Sequence, residues 1–277
     1  MSEGRRDPFS YVKELTVIGA SLVAVLLIVR IVFSNEISQG LSANAGLSSF
    51  DFVTPGVVSV VVISIVFYLL RRRGEQVARL IISGLMAAGT LSGLLLFKIW
   101  FDASVMIPAL FYVCAAPLGY VGLYVSIRSF FGSLSEKKTA FFLSVSTIFL
   151  GALVGILFPP LFTIFFLFAL SLLDTLMVGS DVLRKIVGLE RYEKVISVAT
   201  VPLERDMIGV GDLLAYSMLS VASLRSGNVY VAGATIILIL IGALITSNAA
   251  KSRLRMPGLP IPVFLGAAPY LLGLLVL

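Results

Sequence analysis

Polar and apolar positions in this chain alternate on the scale of whole helices. Apolar runs of about 18 residues or more, the length a helix needs to cross a lipid core, occur nine times. They are Thr16–Phe33, Val53–Leu70, Leu80–Phe97, Val105–Ile127, Thr139–Phe158, Leu161–Val178, Met207–Leu224, Val229–Ser247 and Leu259–Leu277. The first is too long for a secretory leader, and the small-residue triplet Ala43-Asn44-Ala45 lies too far beyond it to serve as a cleavage site. The expected fold is therefore all-α and polytopic, with nine transmembrane helices in a single membrane-embedded domain over 1–277. Spans one to six cover about 16–178, a cytoplasmic loop covers 179–206, and spans seven to nine cover about 207–277. In that loop the stretch from Ser180 to Val195 has apolar residues at helical spacing, which reads as an extension of the sixth span. Lys194–Leu203 is rich in β-branched residues and reads either as a short strand or as a segment lying on the headgroups.

Charge orients the spans. Of 21 lysines and arginines, 18 fall on one side of the nine-span layout, in the clusters Arg5–Lys13, Arg71–Arg79, Arg128–Lys138, Arg184–Arg205 and Lys251–Arg255. Loops rich in basic residues stay cytoplasmic, so the N-terminus is expected inside and the C-terminus outside. Composition agrees with a lipid-embedded chain: 58% of residues are hydrophobic, 13% are charged and the mean hydropathy is +1.05. The net charge of +6 does not suggest nucleic acid, because the basic residues are dispersed between apolar runs as membrane-surface anchors.

Residue types that are missing remove whole chemistries. There is no histidine, so neither an HExxH zinc helix nor a histidine-activated serine is available. The one cysteine, Cys114, cannot form an intramolecular disulfide or a thiolate metal cluster. No glycine-rich phosphate loop of the GxxxxGK[ST] type occurs. Neither a metal nor an organic cofactor is expected.

Of the 15 acidic residues, only Asp174 and Asp212 lie well inside spans. An aspartate near the middle of a membrane helix costs roughly 2.5–3.5 kcal/mol on insertion scales, a penalty retained mainly for function. Asp174 precedes Asp181 by seven residues, and Asp212 follows Asp206 by six. At ~1.5 Å per residue both lie about 9–10 Å from the cytoplasmic edge, so the two carboxyls can face each other. Gly209 and Gly211, just before Asp212, allow close backbone approach. Pro257, Gly258, Leu259 and Pro260 open the ninth span at the same level, and prolines there leave backbone carbonyls unpaired, which is tolerable at membrane depth only where they are buried in protein or line a wet cavity. The plain alternatives are glycines that only pack helices and a proline that only starts one.

With those residues in place the chain resembles the presenilin and signal-peptide-peptidase family of GxGD intramembrane aspartyl proteases. Gly209-Val210-Gly211-Asp212 matches the GxGD motif, and Leu213-Leu214-Ala215-Tyr216-Ser217 is closer to the presenilin branch. Asp174 stands where the family has its other catalytic aspartate, and Pro257-Gly258-Leu259 where it has Pro-Ala-Leu. Two positions depart from the pattern: Leu173 stands where a tyrosine usually precedes the first aspartate, and Gly258 replaces the central alanine. The resemblance implies that Asp174 and Asp212 are catalytic, with Gly209, Gly211, Pro257, Gly258, Leu259 and Pro260 supporting the active site and the substrate. It also implies transmembrane proteins or peptides as substrates within the lipid bilayer. The short loop between spans six and seven argues against autoproteolytic maturation, and the compact chain suggests a multi-pass protein of a prokaryotic cell membrane, archaeal or bacterial, that acts without an obligatory partner subunit. Two rival expectations are a prepilin- or preflagellin-type GxGD peptidase and, from another class, a proton-coupled membrane transporter.

Overall fold

The computed structural model describes residues 9–34, 76–77, 79–102, 108–179, 200–202, 207–225, 229–250 and 257–276. Within them the chain forms eight long helices and two three-residue strands. The helices are α1 (Phe9–Ser34), α2 (Arg79–Asp102), α3 (Pro108–Phe130), α4 (Glu136–Leu157), α5 (Pro160–Gly179), α6 (Val210–Arg225), α7 (Val229–Ala250) and α8 (Pro260–Val276). Between α5 and α6 lie β1 (Thr200–Pro202) and β2 (Met207–Gly209). Among the described residues four helices are long and apolar enough to cross a membrane: α2, α7, and α3 and α4 over Ala109–Phe130 and Lys138–Leu157. These mark a multi-pass membrane protein. Each described helix falls on one of the apolar runs, while Val53–Leu70 and the stretch 180–199 lie outside the described residues.

Lipid as solvent explains both the surface and the polar interior. On α3, Tyr112, Val113, Leu118 and Tyr120 are exposed, a display that would favour aggregation in water and is ordinary against acyl chains. Hydroxyls inside the helices find partners at once: Thr90, Ser92, Ser126, Ser144, Thr147, Ser171 and Thr246 donate to the carbonyl four residues earlier in their own helices. Among the described residues no buried side-chain nitrogen or oxygen lacks a hydrogen bond.

The bundle is built around α6, which packs against α1, α4, α5, α7 and α8. Close approach to α4 depends on Gly151 and Gly155, one turn apart. A Cβ on Gly151 would press on the Leu214 carbonyl and Ser217, and one on Gly155 would meet the Met218 carbonyl at 3.0 Å. Ser217 uses this proximity to donate its hydroxyl to the Ile148 carbonyl at 2.7 Å. Thr235 of α7 donates to Ser223 of α6 at 3.0 Å. Being enclosed on nearly every side, α6 carries serines at 217, 220 and 223 that a lipid-facing helix would gain nothing from. At its far end Arg225 donates to the Ile156 and Phe158 carbonyls, which the end of α4 leaves without helical partners. There Pro159-Pro160 stops α4 and starts α5, since a residue before proline is pushed out of the helical region.

One expected boundary is corrected. The run Met207–Leu224 does not form a single helix: its first three residues are β2, antiparallel to β1 with Thr200 opposite Gly209, Val201 opposite Ile208 and Pro202 opposite Met207. The pairing satisfies backbone groups that would otherwise be unpaired before the first turn of α6. The expected strand over Lys194–Leu203 is present at Thr200–Pro202, and its remaining residues lie outside the described set.

Candidate functional site

Asp212 occupies the first turn of α6, directly after β2. With Gly209 at the junction, the carboxyl is three residues into the helix and turns back to accept the Gly209 N–H through Oδ2 at 3.2 Å. This is the reach-back half of a capping box, and a carboxylate there complements the positive end of the helix dipole. The position of the carboxyl depends on the glycine: a Cβ on Gly209 would stand 2.9 Å from Oδ2 and push it aside. Gly211, by contrast, is exposed and has nothing within 4 Å of where its Cβ would be.

Asp174 comes from α5, one turn after Ser171, and is half-buried. Its Oδ2 accepts the Leu259 N–H at 3.2 Å, across 85 positions of sequence. That donor is available because Leu259 stands just before the first turn of α8, where backbone N–H groups have no helical carbonyl to bond. Pro260 and Pro262 have no N–H, and the Leu259 carbonyl already accepts the first helical bond of α8 from Val263 at 3.0 Å. The Leu259 N–H is thus left outside the helical ladder and points at the carboxyl.

The short segment Pro257-Gly258-Leu259 joins the two acids. Leu259 holds Asp174, and Gly258 lies so close to Asp212 that a Cβ on it would overlap the carboxyl. Three elements distant in sequence, the end of α5, the start of α6 and the start of α8, therefore converge on one point. Contacts of α6 and α5 with α8, including the Phe168–Phe264 ring stack at 4.8 Å, keep them together.

Of the residues expected at the site, Asp174, Asp212, Gly209, Gly258 and Leu259 come together. Pro257 and Pro260 flank that group, and Gly211 faces open space. One further participant was not picked out for a site role from sequence: Tyr216 is buried, and its hydroxyl donates to the Gly258 carbonyl at 3.4 Å. Its position four residues after Asp212, on the same helical face, was the available signal. Among the described residues no group of three His, Cys, Asp or Glu could hold a metal ion.

Chemically, the arrangement offers two acids around a glycine-lined backbone segment, each restrained by backbone N–H donation. Such a pair can give and take protons on the two sides of a polar group placed between them. A scan against models of known protein families finds no match to the chain, and a search of curated proteins finds none similar to it.

Proposed function

We propose that the protein is an intramembrane aspartyl endopeptidase that hydrolyses peptide bonds within transmembrane segments of other membrane proteins. The observation that carries this reading is the attachment of both intramembrane aspartates to one segment, Asp174 through the Leu259 N–H and Asp212 through its contact with Gly258. Helix packing or capping would account for one buried carboxylate; it gives no reason for a second at the same point, given the cost of each in lipid.

In this reading the pair works with one proton between its members. The ionised carboxyl takes a proton from a water as its oxygen attacks the scissile carbonyl carbon. The protonated carboxyl donates to the carbonyl oxygen, and proton transfer to the leaving nitrogen then breaks the C–N bond. A substrate helix must unwind locally first, because its carbonyls are hydrogen-bonded and wrapped by side chains. Nine spans, with Val53–Leu70 as the second, a cytoplasmic N-terminus and a prokaryotic membrane belong to the same proposal, as does the likeness to presenilin-type proteases.

A proton-coupled transporter is the rival from another class, since intramembrane acids also relay ions. The two separate in one experiment. The purified protein in lipid vesicles is incubated with a transmembrane peptide, and the products are read by mass spectrometry for the wild type, Asp174→Asn and Asp212→Asn. The protease reading expects cleavage by the wild type and a loss of roughly 10²–10⁴-fold in each variant. Equal cleavage by all three, or none by the wild type together with aspartate-dependent proton flux, would reject it.

A further inference from the structure

The Gly258 carbonyl and the Leu259 N–H are two ends of one peptide unit. That unit is planar and trans, so its C=O and N–H point in opposite directions and turn together. In this protein each end is held from a different helix. Tyr216 of α6 donates its hydroxyl to the carbonyl at 3.4 Å, and Asp174 of α5 accepts from the N–H at 3.2 Å.

From this geometry we infer that Tyr216 is a positioning residue for Asp174, acting through the Gly258–Leu259 peptide unit; the proposal rests on the protease reading above. Gly258 has no side chain, and prolines stand one residue before it and one after Leu259. Gly258 therefore brings no side chain of its own to anchor the unit, although it lies against the Asp212 carboxyl, and the prolines at 257 and 260 have no N–H with which to compete. Rotation of the plane would swing the Leu259 N–H off the Asp174 carboxyl, and Tyr216 resists that rotation from the opposite end. Donation to the carbonyl also polarises the peptide, so the N–H becomes a better donor. At 3.4 Å the bond is long for a hydroxyl; contacts of this kind commonly tighten when a substrate closes the site.

The placement of Tyr216 suits the task. It lies one turn beyond Asp212 on α6, so the helix that carries one acid also steadies the other. The ring is buried, which fixes where the hydroxyl can reach. Removing the hydroxyl while keeping the ring should leave substrate binding intact and loosen the Leu259 tether to Asp174.

The test uses the full chain and two readouts. With ¹⁵N-leucine labelling in lipid nanodiscs, the Leu259 amide is the cross-peak lost in Leu259→Ile. An amide proton moves downfield as its hydrogen bond strengthens, so Tyr216→Phe is expected to move this proton upfield, in the same direction as Asp174→Ala. With a transmembrane peptide as substrate, Tyr216→Phe is expected to lower kcat by roughly 3- to 30-fold with KM unchanged. An unmoved Leu259 resonance overturns the tether. A moved resonance with unchanged kcat, or an effect confined to KM, overturns the positioning role. A wild type that cleaves no peptide rejects the protease reading, and with it the effect of Tyr216 on turnover, while the amide resonance still decides whether the tether exists.

Discussion

Asp212 is enclosed by backbone at two points where side chains would intrude, and Gly258 is the tighter of the two. The Pro-Ala-Leu pattern that this segment resembles has alanine at the central position, yet here a methyl group would fall on the carboxyl. Gly258→Ala must therefore displace either Asp212 or the whole 257–259 segment. A shift of about 1 Å in a catalytic group can cost up to two orders of magnitude in rate. We expect Gly258→Ala to lower kcat by roughly 10- to 100-fold, and Gly211→Ala, which meets nothing, to raise the melting temperature slightly by removing a helical glycine. Steady-state cleavage and thermal melting of the two variants check this. Unimpaired cleavage by Gly258→Ala would mean that the close approach to Asp212 does not matter to the proposed reaction.

At the scale of elements, the site depends on how closely α6 can be surrounded. Gly151 and Gly155 let α4 lie against the α6 backbone, and the Ser217–Ile148 bond fixes their register. A methyl at 151 would push on backbone, which cannot move aside as a side chain can. Gly151→Ala should therefore destabilise the bundle by about 1–3 kcal/mol, read as a lower melting temperature in detergent; an unchanged melting temperature would show that the helices separate freely there. Apolar run length was enough to locate the described helices from sequence, because a lipid core demands a fixed span and little else. It could not reveal β2. Met207-Ile208-Gly209 is too short to show a period, and what makes it a strand is a partner seven residues upstream. Asp174 and Asp212 were legible as a pair through the cost of burying charge, whereas Tyr216 was not, since an aromatic in an apolar span ordinarily just packs. Only the convergence of α8 on α6 gave its hydroxyl a specific target.

On the scale of the whole molecule, the bundle brings together carboxyls that the sequence separates by 38 positions and holds both against a third segment beyond residue 256. If the two act as one unit on one substrate, their contributions to rate cannot be independent. Losing either should disable the same step, and losing the second should cost little more. The direct measurement is the residual rate of transmembrane-peptide cleavage in vesicles by Asp174→Asn, Asp212→Asn and the double variant. The account predicts that all three share nearly the same low rate. A double variant slower by the product of the two single losses, or either single variant keeping most of its activity, would contradict it.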